Sequence, residues 1–313
     1  MASDPLLLGL DIGGTKTAVV VGREDGQVID RVQWPSQVDR GPSALINEVI
    51  EQAGVMTARH GRAQAAGVSI GGPMDAALGV IHNPPNLPGW DAIPLKREFE
   101  KALAMPVDIE HDAAACALAE YHWGAGRGGA RLAYLTCGSG FGVGLVFDGR
   151  AYYGGQGRSI EIGHVRYRDD GPVAFGKQGC FEAFGAGNSL PKLAAWLYPA
   201  RWGQNPPQAS HIAQLADGGD EDAAAVIDTN ATTVGDACAL LGDLLFLELI
   251  TLGSLGRYLG PTWLARVRQR FEQQVLDHVA QTCRIELAAL GDRLQDCSAL
   301  VVARQAASSA KLP

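Results

Sequence analysis

Two short glycine-rich segments, Gly13-Gly14-Thr15-Lys16 and Gly138-Ser139-Gly140-Phe141-Gly142-Val143-Gly144, each join hydrophobic runs of strand character, and this recurrence restricts what the chain can fold into. The first lies between residues 6–12 and 18–21, the second between residues 132–137 and 145–147. Residues without a Cβ let backbone N–H groups approach phosphate oxygens, and Asp11 and Thr15 add a carboxylate and a hydroxyl beside the first turn. Alone, either segment reads as an ordinary hairpin turn. Neither matches GxGxxG or GxxxxGK[ST]. Together, one in each half and each followed by a strand that ends at an Asp-Gly turn (Asp25-Gly26, Asp148-Gly149), they predict two similar lobes able to grip a nucleotide's phosphates from both sides.

At 313 residues the chain is long enough for one or two domains with a real core, and 47% hydrophobic against 19% charged residues excludes a disordered polymer. With 26 Lys+Arg against 34 Asp+Glu and no basic cluster, nucleic acid is not an expected partner. The six cysteines fall in no CxxC spacing, which points to a reduced, cytoplasmic setting. The amino terminus lacks the basic region and length of a signal peptide. The most apolar run, residues 244–255, is interrupted by Glu248, so no membrane span is expected.

Periodicity predicts a third strand at 28–34, a helix over 43–60 behind a Ser cap, a strand at 65–70 ending at Gly71-Gly72-Pro73, and a helix at 95–103. A strand at 106–110 and an Ala-rich helix from Asp112 to about Trp123 follow, then a Gly-rich linker over 124–129. The remainder reads as helical over 187–197, 222–250 and 262–280, with a strand-like stretch at 249–252.

Asp112 stands at a strand-to-helix junction, where it can cap the helix, act as a general base, or do both. Glu161-Ile-Gly-His164 and Gly179-Cys-Phe-Glu182 supply two carboxylates and an imidazole suited to the vicinal hydroxyls of a sugar, and Asn86-Leu-Pro-Gly-Trp90 adds an amide and an aromatic ring. Each of these side chains also has an ordinary reading as a solvated or packed loop residue. No HExxH occurs, and His164 with Cys180 makes two ligands where structural zinc wants four. The Gly-x-Ser-x-Gly of a serine hydrolase is absent.

Residues 10–16, 86–90, 111–112, 137–144, 161–164 and 179–182, in this order and spacing, resemble the ROK family of bacterial sugar kinases and repressors over nearly the whole chain. The resemblance implies an α/β, two-lobed actin-like (ribonuclease H-like) ATPase fold with a nucleotide and sugar cleft between lobes. The small lobe would span residues 1–123, completed by a C-terminal helix at about 297–313, and the large lobe residues 124–296. It further implies ATP with Mg²⁺ as cofactors, phosphoryl transfer to a hexose hydroxyl with glucose first among substrates, and a homodimer. Carried over by position, Asp112 matches the general base. Gly72, Asn86, His111, Glu161, His164 and Glu182 match sugar contacts. Asp11, Gly13, Gly14, Thr15, Lys16, Thr136, Gly138, Ser139, Gly140, Gly253 and Ser254 match nucleotide contacts, with Asp11 near the metal.

Two positions depart from the family's pattern. His111 stands where an Asn usually precedes the base, so a sugar hydroxyl is read by an imidazole. Val173 and Phe175 replace a Cys-x-Cys pair of the family's zinc motif, so no structural zinc is expected. Instead, apolar packing of those two side chains should support the loop and leave His164 facing the sugar. Fructokinase, allokinase and N-acetylhexosamine kinase are the alternatives within the family. A repressor would need a helix-turn-helix domain ahead of the first glycine motif, where ten residues precede Asp11. A catalytically silent sugar-binding protein would be expected to lack Asp112.

Overall fold

The computed structural model describes residues 5–129 and 131–310; the expected start of the small lobe at 1–4 and the last residues of the expected helix, 311–313, lie outside the described residues. In chain order the elements are β1 (Leu6–Ile12), β2 (Lys16–Arg23), β3 (Val28–Pro35), α1 (Pro42–His60), β4 (Ala65–Ile70), β5 (Met74–Asp75), β6 (Val80–Ile81), α2 (Leu95–Leu103), β7 (Val107–His111) and α3 (Asp112–Trp123). Then come β8 (Leu132–Leu135), β9 (Val143–Phe147), β10 (Arg150–Ala151), β11 (Val173–Ala174), β12 (Lys177–Gln178), α4 (Phe181–Gly185), α5 (Leu190–Leu197), α6 (Pro199–Trp202) and α7 (Ala209–Asp217). The chain closes with α8 (Glu221–Leu245), β13 (Leu249–Leu252), α9 (Leu255–Gln274), α10 (Asp277–Thr282), β14 (Arg284–Leu287) and α11 (Leu294–Ser309).

The elements differ from expectation where backbone chemistry overrides periodicity. Helix α1 has no Ser cap: Gly41 occupies the cap position without a side-chain hydrogen bond, and Pro42 opens the first turn, where its missing N–H costs nothing. Helix α8 stops at Leu245 rather than near 250, because Phe246 turns into the left-handed region at φ 48°, freeing 249–252 for β13. The helix expected over 262–280 starts at Leu255, is kinked at Gly260 (φ 77°) and Pro261, and ends at Gln274 before α10.

Contacts divide the chain into two units. The first comprises the chain up to Gly129, Gly144–Ser159, and everything from Leu290 on. Its sheet has the order β3-β2-β1-β4-β7: β1 to β3 form an antiparallel meander, while β1, β4 and β7 run parallel. Alternation sends Leu8, Leu10, Ile12, Val68 and Ile70 to one face, packed with Leu45, Val49 and Phe99 of α1 and α2. On the other face Gly9 and Gly67 admit α11: a Cβ on Gly67 would stand 2.0 Å from the Ala303 nitrogen. Gly144 likewise lets β9 close on α3, since a Cβ there would lie 2.0 Å from the Ala113 carbonyl oxygen.

The second unit holds the segment ending at Val143 together with Ile160–Ala289. Its parallel strands β8, β13 and β14 are in register, Leu135 opposite Leu252 and Leu252 opposite Leu287. Buried Asn230 on α8 ties the helical layer together, accepting from Trp263 Nε1 at 2.8 Å and donating to the Phe184 carbonyl at 2.9 Å. Among the described residues no helix is long and apolar enough to cross a membrane.

Candidate active site

In the first unit the candidate residues gather because three parallel strands end together. Ile12 pairs with Ile70 and Ile70 with His111, so the turn at Gly13, the break at Gly71-Gly72 and the His111-Asp112 junction leave the sheet along one carboxyl edge. That is where open α/β sheets bind ligands. The first turn is closed by the Gly13 N–H donating to the Lys16 carbonyl at 3.1 Å, and is backed by Ser36, whose hydroxyl donates to the Gly13 carbonyl at 2.6 Å. Asn86 is held against this turn because Gly14 has no side chain: a Cβ would lie 2.5 Å from the Asn86 carbonyl oxygen. Thr15 and Lys16 are exposed. Gly72 makes room for the imidazole of His111, whose Cδ2 would stand 2.8 Å from a Cβ at that position.

The cap position of α3 belongs to His111, and Asp112 is the first helical residue. Asp112 Oδ1 accepts the Ala113 N–H at 2.7 Å, while 46% of the side chain remains exposed. Asp11 sits in the register row Asp11, Ser69, Glu110. Burial, then repulsion from Asp112 and Asp296, pushes its carboxyl up to about 7 against the pull of Arg31 and Lys16. A half-buried carboxylate that feels Asp112 and Asp296, the latter itself paired with Arg31, suits a hard cation. Among the described residues no three His, Cys, Asp or Glu side chains cluster to cage a metal ion.

The second unit holds the other half of the predicted set. Thr136 staples the long glycine loop, its N–H donating to the Gly142 carbonyl at 3.0 Å and its hydroxyl accepting the Gly142 N–H at 2.9 Å. Ser139 is exposed at the tip. Gly253 follows β13 so closely that a Cβ would lie 2.2 Å from the Thr136 carbonyl oxygen, and the Ser254 hydroxyl would lie 3.4 Å from one on Gly138. Glu182 is tied to the same loop: its Oε2 accepts the Phe141 N–H at 3.0 Å and would stand 3.0 Å from a Cβ on Gly140. Gly163 completes the contact, since a Cβ there would lie 2.3 Å from the Phe141 carbonyl oxygen. Glu161 and His164, on either side of Ile162-Gly163, are exposed.

One expectation needs correction. Val173 and Phe175 do not form a buried support, each being 51% exposed. Val173 pairs with Gln178 in the β11–β12 hairpin, which has only two residues per strand and no core of its own. Phe175, at φ 50°, instead sets its ring against the edge of His164, with centroids 5.7 Å apart at 75°. The donor set does not fit tetrahedral zinc, because the buried Cys180 thiol donates to the carbonyls of Ala174 and Lys177 at 3.5 Å each and, among the described residues, no third His, Cys, Asp or Glu joins it and His164.

Sequence reasoning missed Glu110, which burial pushes up to about 8 and whose carboxylate accepts the His111 N–H at 2.8 Å. It also missed Asp296, paired with Arg31 at 2.7 Å. Neither has a local signal, since strand register brings Glu110 into the Asp11 row and α11, remote in sequence, brings Asp296.

A family model described as the ROK family matches residues 7–305. A glucokinase of Halalkalibacterium halodurans is 28% identical over 305 residues, covering 93% of this chain and 92% of its own length. The crystal structure of a ROK hexokinase from Thermus thermophilus superposes with a TM-score of 0.85 at 29% identity, over 97% of this chain and 99% of that one. A ROK family glucokinase from Streptomyces griseus, solved in complex with glucose and AMPPNP, gives 0.80 at 26% identity, over 96% and 99%. With the match running through both units and every glycine turn described above, the chain belongs to the ROK family and has the actin-like α/β fold of its sugar kinases.

Proposed function

We propose that this chain is an ATP-dependent hexose kinase that transfers the γ-phosphoryl group to the 6-hydroxyl of glucose. The observation that carries the reading is the shared strand edge, along which the half-exposed Asp112 carboxylate and the Gly13–Lys16 turn leave the sheet on the same side, with β4 between them. The glycine-containing turns at 13–16 and 138–140 offer backbone N–H groups to the phosphates, with Gly253 and Ser254 beside the second. Glu161 and Glu182 would accept sugar hydroxyls through charge-assisted hydrogen bonds, with His164, Asn86, His111 and the Gly72 backbone as further sugar contacts.

A hydroxyl is a weak nucleophile, so the work lies in positioning it in line and removing its proton as charge moves. Asp112 accepts that proton while the oxygen–phosphorus bond to the sugar forms and the bond to the β–γ bridging oxygen of ATP breaks, releasing ADP. Asp11 is the carboxylate that would hold Mg²⁺, which would supply neutralisation of the charge on the phosphates. We further propose a homodimeric cytoplasmic enzyme without a nucleic acid partner; light scattering of the purified chain tests the dimer.

The test is a coupled assay of ADP release over glucose, fructose, allose, mannose and N-acetylmannosamine. Glucose should give the highest kcat/KM. A higher value for another sugar would move the substrate and keep the chemistry, while no sugar-dependent ADP release would overturn both. Asp112→Asn should lower kcat by about 10²–10⁴-fold with glucose affinity retained, the range for loss of general-base help.

A further inference from the structure

The imidazole before the base has more to do than read a sugar hydroxyl. His111 Nδ1 is buried and makes no hydrogen bond to any described residue, although Asp112 Oδ1 lies 3.4 Å away. The His111 ring is confined, its side chain 13% exposed and its Cδ2 edge against Gly72. An unpartnered buried donor this close to a carboxylate is costly unless a small movement pairs it. Catalytic hydrogen bonds are commonly long in the free enzyme and shorten when substrate is bound.

Asp112 Oδ1 already accepts the Ala113 N–H at 2.7 Å. No hydrogen bond is made by Oδ2 among the described residues, which leaves it the oxygen able to take a proton from outside. A second donor on Oδ1 would fix the carboxylate plane and reserve Oδ2 for the acceptor hydroxyl. On the other side of the ring, Nε2 would lie 3.3 Å from a Cβ on Gly72. With the proton on Nδ1, neutral Nε2 is left as an acceptor.

We infer that His111 is the positioning residue for Asp112: Nδ1–H donates to Oδ1 when substrate is bound and aims Oδ2 at the sugar hydroxyl, while Nε2 accepts from a second hydroxyl. This rests on the reading of Asp112 as the base.

The two ring nitrogens can be separated by amide substitution in the full-length enzyme. Asn places an N–H near Nδ1, whereas Gln reaches the position of Nε2 and leaves Oδ1 without its donor. Relative to wild type, His111→Ala and His111→Gln should each lose at least tenfold in kcat, with thermal midpoints unchanged. His111→Asn should recover at least fivefold of the kcat lost in His111→Ala while its KM for the sugar rises through loss of the Nε2 acceptor. In ¹⁵N-histidine spectra of the enzyme with glucose and AMPPNP, His111 should carry its proton on Nδ1.

A proton on Nε2, or a Gln variant that outperforms the Asn variant in kcat, would overturn the positioning role. So would a His111→Ala variant altered only in KM. If Asp112→Asn turns over like wild type, the reading of the base fails instead; if it is inactive while His111→Ala keeps full kcat, only the positioning role fails.

Discussion

Replacing Asp11 by Asn should make the ligand-free protein more stable at neutral and alkaline pH while impairing its use of nucleotide. The carboxyl goes from 3.8 in the unfolded chain to about 7 in the fold. Between those values the folded state binds the extra proton, so stability falls as pH rises from about 4 to about 7 and the full cost is carried above that. At about 1.36 kcal/mol per unit the shift corresponds to about 4 kcal/mol, and solvent contact of a half-buried side chain reduces this to about 2 kcal/mol. Asn keeps the shape without the charge. Chemical denaturation at pH 8 should therefore show Asp11→Asn more stable by about 2 kcal/mol, with the gap at least halved at pH 5. Mg²⁺ with ATP should narrow the gap at pH 8, because ligand binding stabilises the wild type more than a variant lacking the carboxylate. A variant equal to or less stable than wild type at pH 8, or a gap that widens on acidification, would refute the reasoning that repulsion and burial strain Asp11.

Glycine positions give a paired test of packing. Gly67→Ala forces a Cβ to 2.0 Å from backbone of α11 and should destabilise by about 3 kcal/mol, whereas Gly54→Ala, with nothing within 4 Å on α1, should stabilise by about 0.5–1 kcal/mol; urea melts distinguish them. Gly14→Ala forces a Cβ to 2.5 Å from the Asn86 carbonyl oxygen, so it should lower the thermal midpoint and raise the KM for the sugar about tenfold through displaced Asn86, the equivalent of about 1.4 kcal/mol. Glu182→Gln can still accept the Phe141 N–H but loses charge, so steady-state kinetics should show KM for glucose up by about tenfold with a smaller change in kcat.

Much of the first unit can be read in the sequence because its information is local. Continuous apolar runs mark β1 and β4 and a short alternation marks β7, and the residues just beyond their ends, Gly13, Gly72 and Asp112, are those a parallel edge presents. The helix ends were harder. Phe246 ends α8 in the left-handed region that glycine usually takes, and the apolar pattern of 244–252 continues across that break. The β11–β12 hairpin misled for another reason: Val173 and Phe175 are apolar, but four strand residues cannot bury them. Glu110 and Asp296 were invisible because their significance comes from register and, for Asp296, from a helix whose partner Arg31 lies 265 positions earlier in the chain. The close glycines Gly14 and Gly163 are legible as glycines, yet only the fold shows which backbone each admits.

The most direct test is to mix the chain with Mg²⁺, ATP and glucose and follow ³¹P resonances with time. The account predicts a phosphomonoester on the 6-oxygen of glucose accumulating in equal amount to ADP, and almost none with Asp112→Asn. Inorganic phosphate appearing in place of an ester, or ester formed at the wild-type rate by Asp112→Asn, would contradict it.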